Sequence, residues 1–351
     1  MTIAIHFANQ VPGTFEVPGT YDRILEMRKH LSTILKIVVT VAGLGYVLLT
    51  VPLEDIGEAI VDVRWGWLAL AFVIATFSLV LRAYRWLLLL RGLDVEISFG
   101  RLVALYFVGN FFNAFLPSGF GGDAVRIMEV ARDVPTNIAA GTVIVDRLTG
   151  LLMLFVMALV ALPFRPPDFP QDIFRLITAV SIIGIIGGFV LLESSLIRRF
   201  GGWLPAKLAP TGDGPVAKLL QAVQGSGRRA VIGALVVSTI FNLLLVTWWY
   251  ITGLSLGLDV SFFYYLLVVP ILSVALLVPS ISGLGVREYM APLLFAGAGV
   301  EAGAAVALSL LVTLVLRLTS LLGAPTYIVS TIRKRRERVL ETAATSADES
   351  P

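Results

Sequence analysis

The sequence predicts an all-α integral membrane protein with about eight transmembrane helices and two re-entrant, broken-helix segments, arranged as two inverted repeats. Three observations carry that class. Of 351 residues, 57% are hydrophobic and only 15% charged, with a mean hydropathy of +0.88. A soluble domain carries about a quarter charged residues, so these charges are too few to coat a globular surface. Long apolar stretches approach the roughly 20 residues that a helix needs to cross about 30 Å of hydrocarbon. Finally, two Gly- and Pro-rich segments are too polar for ordinary spans and too apolar for ordinary loops.

Taken in order, residues 1–31 read as a cytoplasmic tail. Residues 1–20 show no basic start, apolar core or cleavage site of a signal peptide. The membrane domain covers 32–332, with spans at 32–52, 67–90, 102–116, 141–163, 173–193, 230–252, 262–279 and 304–332. Residues 333–351 form a second cytoplasmic tail, basic and then polar. Half-repeats are expected at about 67–193 and 230–332. Segments 117–140 and 280–303 are the two irregular stretches.

Basic residues in short loops set the orientation. Arg23, Arg28 and Lys29 precede the first span. Loop 194–229 holds Arg198, Arg199, Lys207, Lys218, Arg228 and Arg229 against one acid, Asp213. Arg333, Lys334, Arg335, Arg336 and Arg338 follow the last span. All three regions should face the cytoplasm, and the acidic loop 53–66 the outside. Five simple crossings from an inner N-terminus would put loop 194–229 outside. The conflict vanishes if 117–140 returns the chain inward and 280–303 returns it outward. Opposed returns are the mark of inverted repeats built on broken helices.

The repeat shows in residues. Leu116-Pro117-Ser118-Gly119 precedes Gly121-Gly122-Asp123 and Arg126, while Val278-Pro279-Ser280 precedes Gly283, Gly285, Arg287 and Glu288. Each is followed by a span with an Arg-Leu-Thr core, at Arg147 and at Arg317. The distance from proline to that arginine differs, 30 residues against 38.

A helix broken inside lipid needs protein or a wet cavity around its free backbone groups. The helix that restarts offers N–H groups and a positive dipole end, which suit an anion such as lipid phosphate. The competing reading is an interfacial loop and an amphipathic surface helix, with Asp123, Arg126 and Glu129 on its wet side. Charges inside a membrane are costly and usually functional, which singles out Asp146, Arg147 and Arg317. Asp–Arg pairs can also simply clamp helices. Arg82 and Arg85 read as snorkelling to headgroups. Asn110, Asn113 and Asn242 read as interhelical hydrogen-bond partners, with Asn110 and Asn113 also able to face a cavity. Trp65, Trp67, Trp248 and Trp249 read as interfacial anchors.

Several chemistries are excluded. There is no cysteine, and the two histidines, His6 and His30, precede the first span. Thiol chemistry and a histidine metal site within the membrane are therefore ruled out. No phosphate-binding P-loop or serine–base motif is present, and neither a cofactor nor a metal is expected. The net charge of +3 reports loop topology and implies no nucleic-acid partner.

The pattern Asn-x5-Leu-Pro-Ser-Gly-x-Gly-Gly-Asp-x-x-Arg from Asn110 to Arg126, with Asp146-Arg147, Gly150, and Pro279-Ser280 to Gly285-x-Arg287-Glu288, resembles the flippase-like membrane family. This is the family of the transmembrane part of lysylphosphatidylglycerol synthase, the multiple peptide resistance factor. The resemblance covers about 35–335. It implies movement of an anionic, phosphate-bearing lipid or lipid-linked headgroup across the cytoplasmic membrane. It also implies a substrate site at Asn110, Pro117, Ser118, Gly119, Gly121, Gly122, Asp123, Arg126, Asp146, Arg147, Pro279, Ser280, Gly283, Gly285, Arg287, Glu288 and Arg317. The arginines would hold phosphate, and Asp123, Asp146 and Glu288 would orient them. Lysyltransferase activity is not expected, because the sequence shows no counterpart of the synthase's soluble domain. Two alternatives stand beside this. One is an intramembrane transferase acting on a lipid phosphate, with Asp123 or Glu288 as base. The other is a non-catalytic membrane subunit that partners a lipid-synthesis enzyme or glycosyltransferase.

Overall fold

A computed structural model describes residues 20–115, 121–165, 167, 169–192, 215–274, 278, 280–281, 283–329 and 332. Pro117, Ser118, Gly119 and Pro279 lie outside them, as do most of the basic loop and nearly all of the basic tail. The described residues are nearly all helical and include no strand. The helices are α1 (Thr20–Thr50), α2 (Leu53–Val61), α3 (Trp65–Arg91), α4 (Phe99–Phe115), α5 (Gly121–Val130), α6 (Thr136–Ala161), α7 (Gln171–Leu192), α8 (Pro215–Ser255), α9 (Phe262–Val274), α10 (Val286–Phe295) and α11 (Ala302–Leu321). Six are long and apolar enough to cross a membrane, those of α1, α3, α6, α7, α8 and α11. The expected spans at 102–116 and 262–279 are the shorter α4 and α9, and each leads into a break and a second short helix.

Contacts fix the directions. α3 and α8 pair antiparallel along their length: Arg64 N donates to Ser255 O at 2.9 Å, Arg85 Nη1 to Ser238 Oγ at 3.0 Å, and Gly92 packs on Ser226. Call the face where α3 begins the near face and the other the far face. α4 starts at the far face, and so does α6. The segment between them therefore has to come back. Arg101 at the start of α4 pairs with Asp133, just past α5, at 2.7 Å, which closes the return directly. In the second half, Tyr264 at the start of α9 donates to the Leu294 carbonyl at the end of α10, at 2.6 Å. Both breaks are re-entrant, and they open from opposite faces.

The halves also exchange partners as a two-fold relation requires. α4 of the first packs antiparallel on α11 of the second: Asn110 Nδ2 donates to Ser320 Oγ at 2.9 Å, and Gly323 lies against Phe107. Reciprocally, α9 packs on α6. The equivalent helices α3 and α8 lie side by side and antiparallel, as a two-fold axis in the membrane plane demands.

Two close approaches depend on missing side chains. A Cβ on Gly122 would strike the Gly109 carbonyl, so α5 can fold back tightly on α4 only with glycine there. Gly285 has φ 82°, a left-handed conformation that costs glycine little, and its backbone sits on Thr40 and Gly43 of α1. Thr40 Oγ1 accepts from Ile281 N at 2.9 Å. The N-terminal helix thus seals the second break.

The return predicts a labelling pattern in a chain with no native cysteine. Single cysteines at exposed Asp94 and Asp133 should label from the same face, although α4 lies between them, and a cysteine at Asp259 from the other. Labelling of Asp94 and Asp133 from opposite faces would mean that the α4–α5 segment crosses.

Candidate functional site

The first break opens onto a cluster built from α3, α4, α5, α6 and α8. Asp146, fully buried on α6, is its hub. Its Oδ1 accepts from Arg85 Nε at 2.6 Å, and its Oδ2 from Arg126 Nη2 at 3.1 Å and from the Tyr106 hydroxyl. Arg126 also reaches Asp123 at 3.4 Å, and Asp123 pairs with Arg147 Nε. The Arg126 guanidinium is stacked 3.8 Å from the Tyr106 centroid and 4.2 Å from that of Trp86. Arg82 lies over Tyr106 and Phe241. Four guanidiniums therefore face two carboxylates, a formal excess of two positive charges.

The second break carries a smaller cluster. Glu288, 1% exposed, accepts from Gly285 N at 2.7 Å, Ser309 Oγ at 3.2 Å and Thr313 Oγ1 at 3.3 Å. Arg287 Nη1 donates to the same Thr313 hydroxyl at 3.1 Å, so one hydroxyl stands between arginine and carboxylate. Arg317 on α11 reaches across to the Ala114 carbonyl of α4. Ala114 and Asp123 bracket the first break, so Arg317 and Arg147 hold its two shoulders. Ser280 is buried, and Gly283 takes φ 80° in the turn before α10.

Several expectations are corrected. Arg85 does not snorkel: it is 2% exposed and bound to Asp146. The reason is length. α3 runs on to Arg91, which takes the terminal position and leaves Arg85 about 9 Å deeper at 1.5 Å per residue. Trp248 and Trp249 are not anchors but core, 2% and 3% exposed, because α8 continues to Ser255. Trp65 and Trp67 are exposed at the start of α3. The surface-helix reading of Asp123 and Arg126 also fails, since both are buried; Glu129 instead pairs with exposed Arg132. The N–H groups expected to greet an anion are partly used, Gly122 N on Asn113 Oδ1 at 2.7 Å and Gly285 N on Glu288. Asn242 bonds across helices to the Gly150 carbonyl at 3.0 Å, and Asn110 to Ser320, as their types suggested. Sequence reasoning misplaced Arg85 and missed Tyr106 altogether. The six residues separating Arg85 from Arg91 were the available signal; nothing in the sequence marked Tyr106.

Burial dictates what substitution should do. Removing one member of a buried ion pair leaves the others uncompensated and costs about 3–5 kcal/mol, whereas an exposed pair contributes about 0–1 kcal/mol. Asp146→Ala should accordingly lower unfolding stability in detergent by about 3–5 kcal/mol, and Arg101→Ala by less than about 1 kcal/mol. Equal midpoints for the two variants in thermal unfolding would contradict the central role of Asp146.

Comparison with known proteins agrees with this architecture. Residues 33–323 match the family model of the lysylphosphatidylglycerol synthase TM region. A UPF0104 membrane protein of Pyrococcus horikoshii is 24% identical over 279 residues, covering 71% of this chain and 82% of that one. A UPF0104 membrane protein of Methanothermobacter thermautotrophicus is 25% identical over 181 residues, 51% of each chain. With nearly the whole membrane domain matched, paired broken helices and charged clusters at both breaks, this chain belongs to the lysylphosphatidylglycerol synthase TM region family.

Proposed function

We propose that the protein moves an anionic, phosphate-bearing lipid, or its headgroup, across the cytoplasmic membrane, with both termini on the cytoplasmic side. The observation that carries this is the excess of guanidiniums, buried and partly exposed, over carboxylates at two helix breaks reached from opposite faces. An arginine at mid-depth costs about 3 kcal/mol even on the lenient insertion scale. Keeping several there makes sense if an anion visits them.

Within each cluster the arginines divide by accessibility. Arg85, Arg126 and Arg287 are nearly fully buried, and serve to brace the breaks. Arg147 is 30% exposed along its side chain, and Arg317 is also partly exposed. These two can offer N–H groups to a phosphate while its acyl chains remain in lipid. Asp123 competes for Arg147, which keeps binding weak enough for release. The broken helices supply the parts that move.

The test is reconstitution. Purified protein in liposomes should move labelled phosphatidylglycerol between leaflets faster than protein-free liposomes do. Arg147→Ala and Arg317→Ala should insert, remain monodisperse and lose that movement. Arg317→Lys should restore part of it, because lysine keeps the charge and loses the bidentate fork. Wild-type movement by both well-folded alanine variants would remove these residues from the site. No movement by the wild type with phosphatidylglycerol or other anionic lipids would favour a scaffold or enzyme role.

A further inference from the structure

Arg82, partly exposed along its side chain, stands apart from the other arginines of the first cluster. Arg85, one turn further along α3, has Asp146 and Ser238; Arg126 has Asp146 and Asp123; Arg147 has Asp123. Among the described residues, Arg82 makes neither an ion pair nor a hydrogen bond. Its Nε is buried without an acceptor. Nor is there a carboxylate to spare. Asp146 spends Oδ1 on Arg85 and Oδ2 on Arg126 and Tyr106, and Asp123 is divided between two other arginines.

Escape to water does not explain the position. Arg82 lies nine residues before Arg91, the end of α3, which places it about 13 Å inside that end at 1.5 Å per residue. What holds it is aromatic. Its guanidinium carbon is 5.3 Å from the Tyr106 ring centroid and 5.4 Å from that of Phe241. Ring faces attract the cation without consuming its N–H groups. The five donors of the fork are thus held beside aromatic rings with no acceptor among the described residues. A structural arginine would be expected to resemble Arg85. This one is oriented and left unsatisfied.

We infer that Arg82 is a phosphate-binding residue, at a site between α3, α4 and α8 walled by Tyr106 and Phe241. The paired N–H groups of a guanidinium match two non-bridging phosphate oxygens. The identity of the ligand as phosphate rests on the proposed function, but binding and transport are measured separately. Source is separable too, since the same chemistry could come from a lipid headgroup or from free phosphate.

The experiment uses full-length protein purified in detergent. Phosphatidylglycerol and phosphatidylcholine retention is measured by native mass spectrometry, inorganic phosphate binding by titration calorimetry, and unfolding by thermal melt. Arg82→Gln keeps a planar polar head but loses the charge. It should weaken retention of phosphatidylglycerol over phosphatidylcholine by about tenfold or more, the loss expected of a charged hydrogen bond. Its melting temperature should stay level or rise, since a cation with no carboxylate partner is removed and no ion pair is broken. Arg85→Gln, which does break an ion pair, should melt lower. If only inorganic phosphate binding depends on Arg82, the inference stands and the source is the free ion. Unchanged binding of both ligands in Arg82→Gln overturns it, and so does a melting temperature as low as that of Arg85→Gln. Wild-type protein that retains lipid through Arg82 yet moves none in liposomes would sink the transport reading alone.

Discussion

A helix that stops inside hydrocarbon exposes backbone groups that lipid cannot satisfy, and this chain does so twice. Meeting that cost shapes the rest of the molecule. At the first break the solution is ionic. Asp146 of α6 draws Arg85 from α3, Arg126 from α5 and the Tyr106 hydroxyl from α4 onto one carboxylate. Four helices are thereby fixed around a point where no single apolar contact could hold them. A buried ion pair adds little net stability compared with apolar packing of the same volume. What this one supplies is position, since any other arrangement would strand a charge in the membrane.

The second break is braced differently. Glu288 is satisfied by a backbone N–H and two hydroxyls, and α1 is laid over the turn, glycine against glycine at Gly43 and Gly285. The halves thus share a path of the backbone and differ in chemistry. The cluster at the first break is richer in charge, and that at the second is more neutral and better covered. A substrate drawn across would meet unequal electrostatics at the two ends of its path.

Much of this was legible before any coordinates. Hydropathy located every long helix, because a span needs apolar length and little else. Counting Lys and Arg against the number of crossings exposed the two returns, and the Arg101–Asp133 pair is the physical form of that bookkeeping. Less could be read where a residue's meaning depends on where its helix ends. Arg85 and Trp248 carry no mark that separates an interfacial position from a buried one; only the residues beyond them, to Arg91 and Ser255, decide it. Tyr106 was invisible for another reason. A tyrosine in an apolar helix looks the same whether its hydroxyl meets a carboxylate or a headgroup. The glycines of α5 did announce a tight turn, but not that Gly122 would rest on the Gly109 carbonyl.

The reciprocal packing of α4 with α11 and of α9 with α6 has a consequence for how the chain came to be. Counted from α1 to α6, the first half makes three net crossings, since α4 and α5 together go nowhere; α7 to α11 also makes three. An odd number is what turns a tandem copy upside down when the two are joined. An ancestral half with that parity could insert either way up and pair with its own inverted twin, and fusion of two such genes would fix the pair. Loss of α7 would leave the second half with an even number, and the second copy would then face the same way as the first. The twin breaks would open on one side, with no path through.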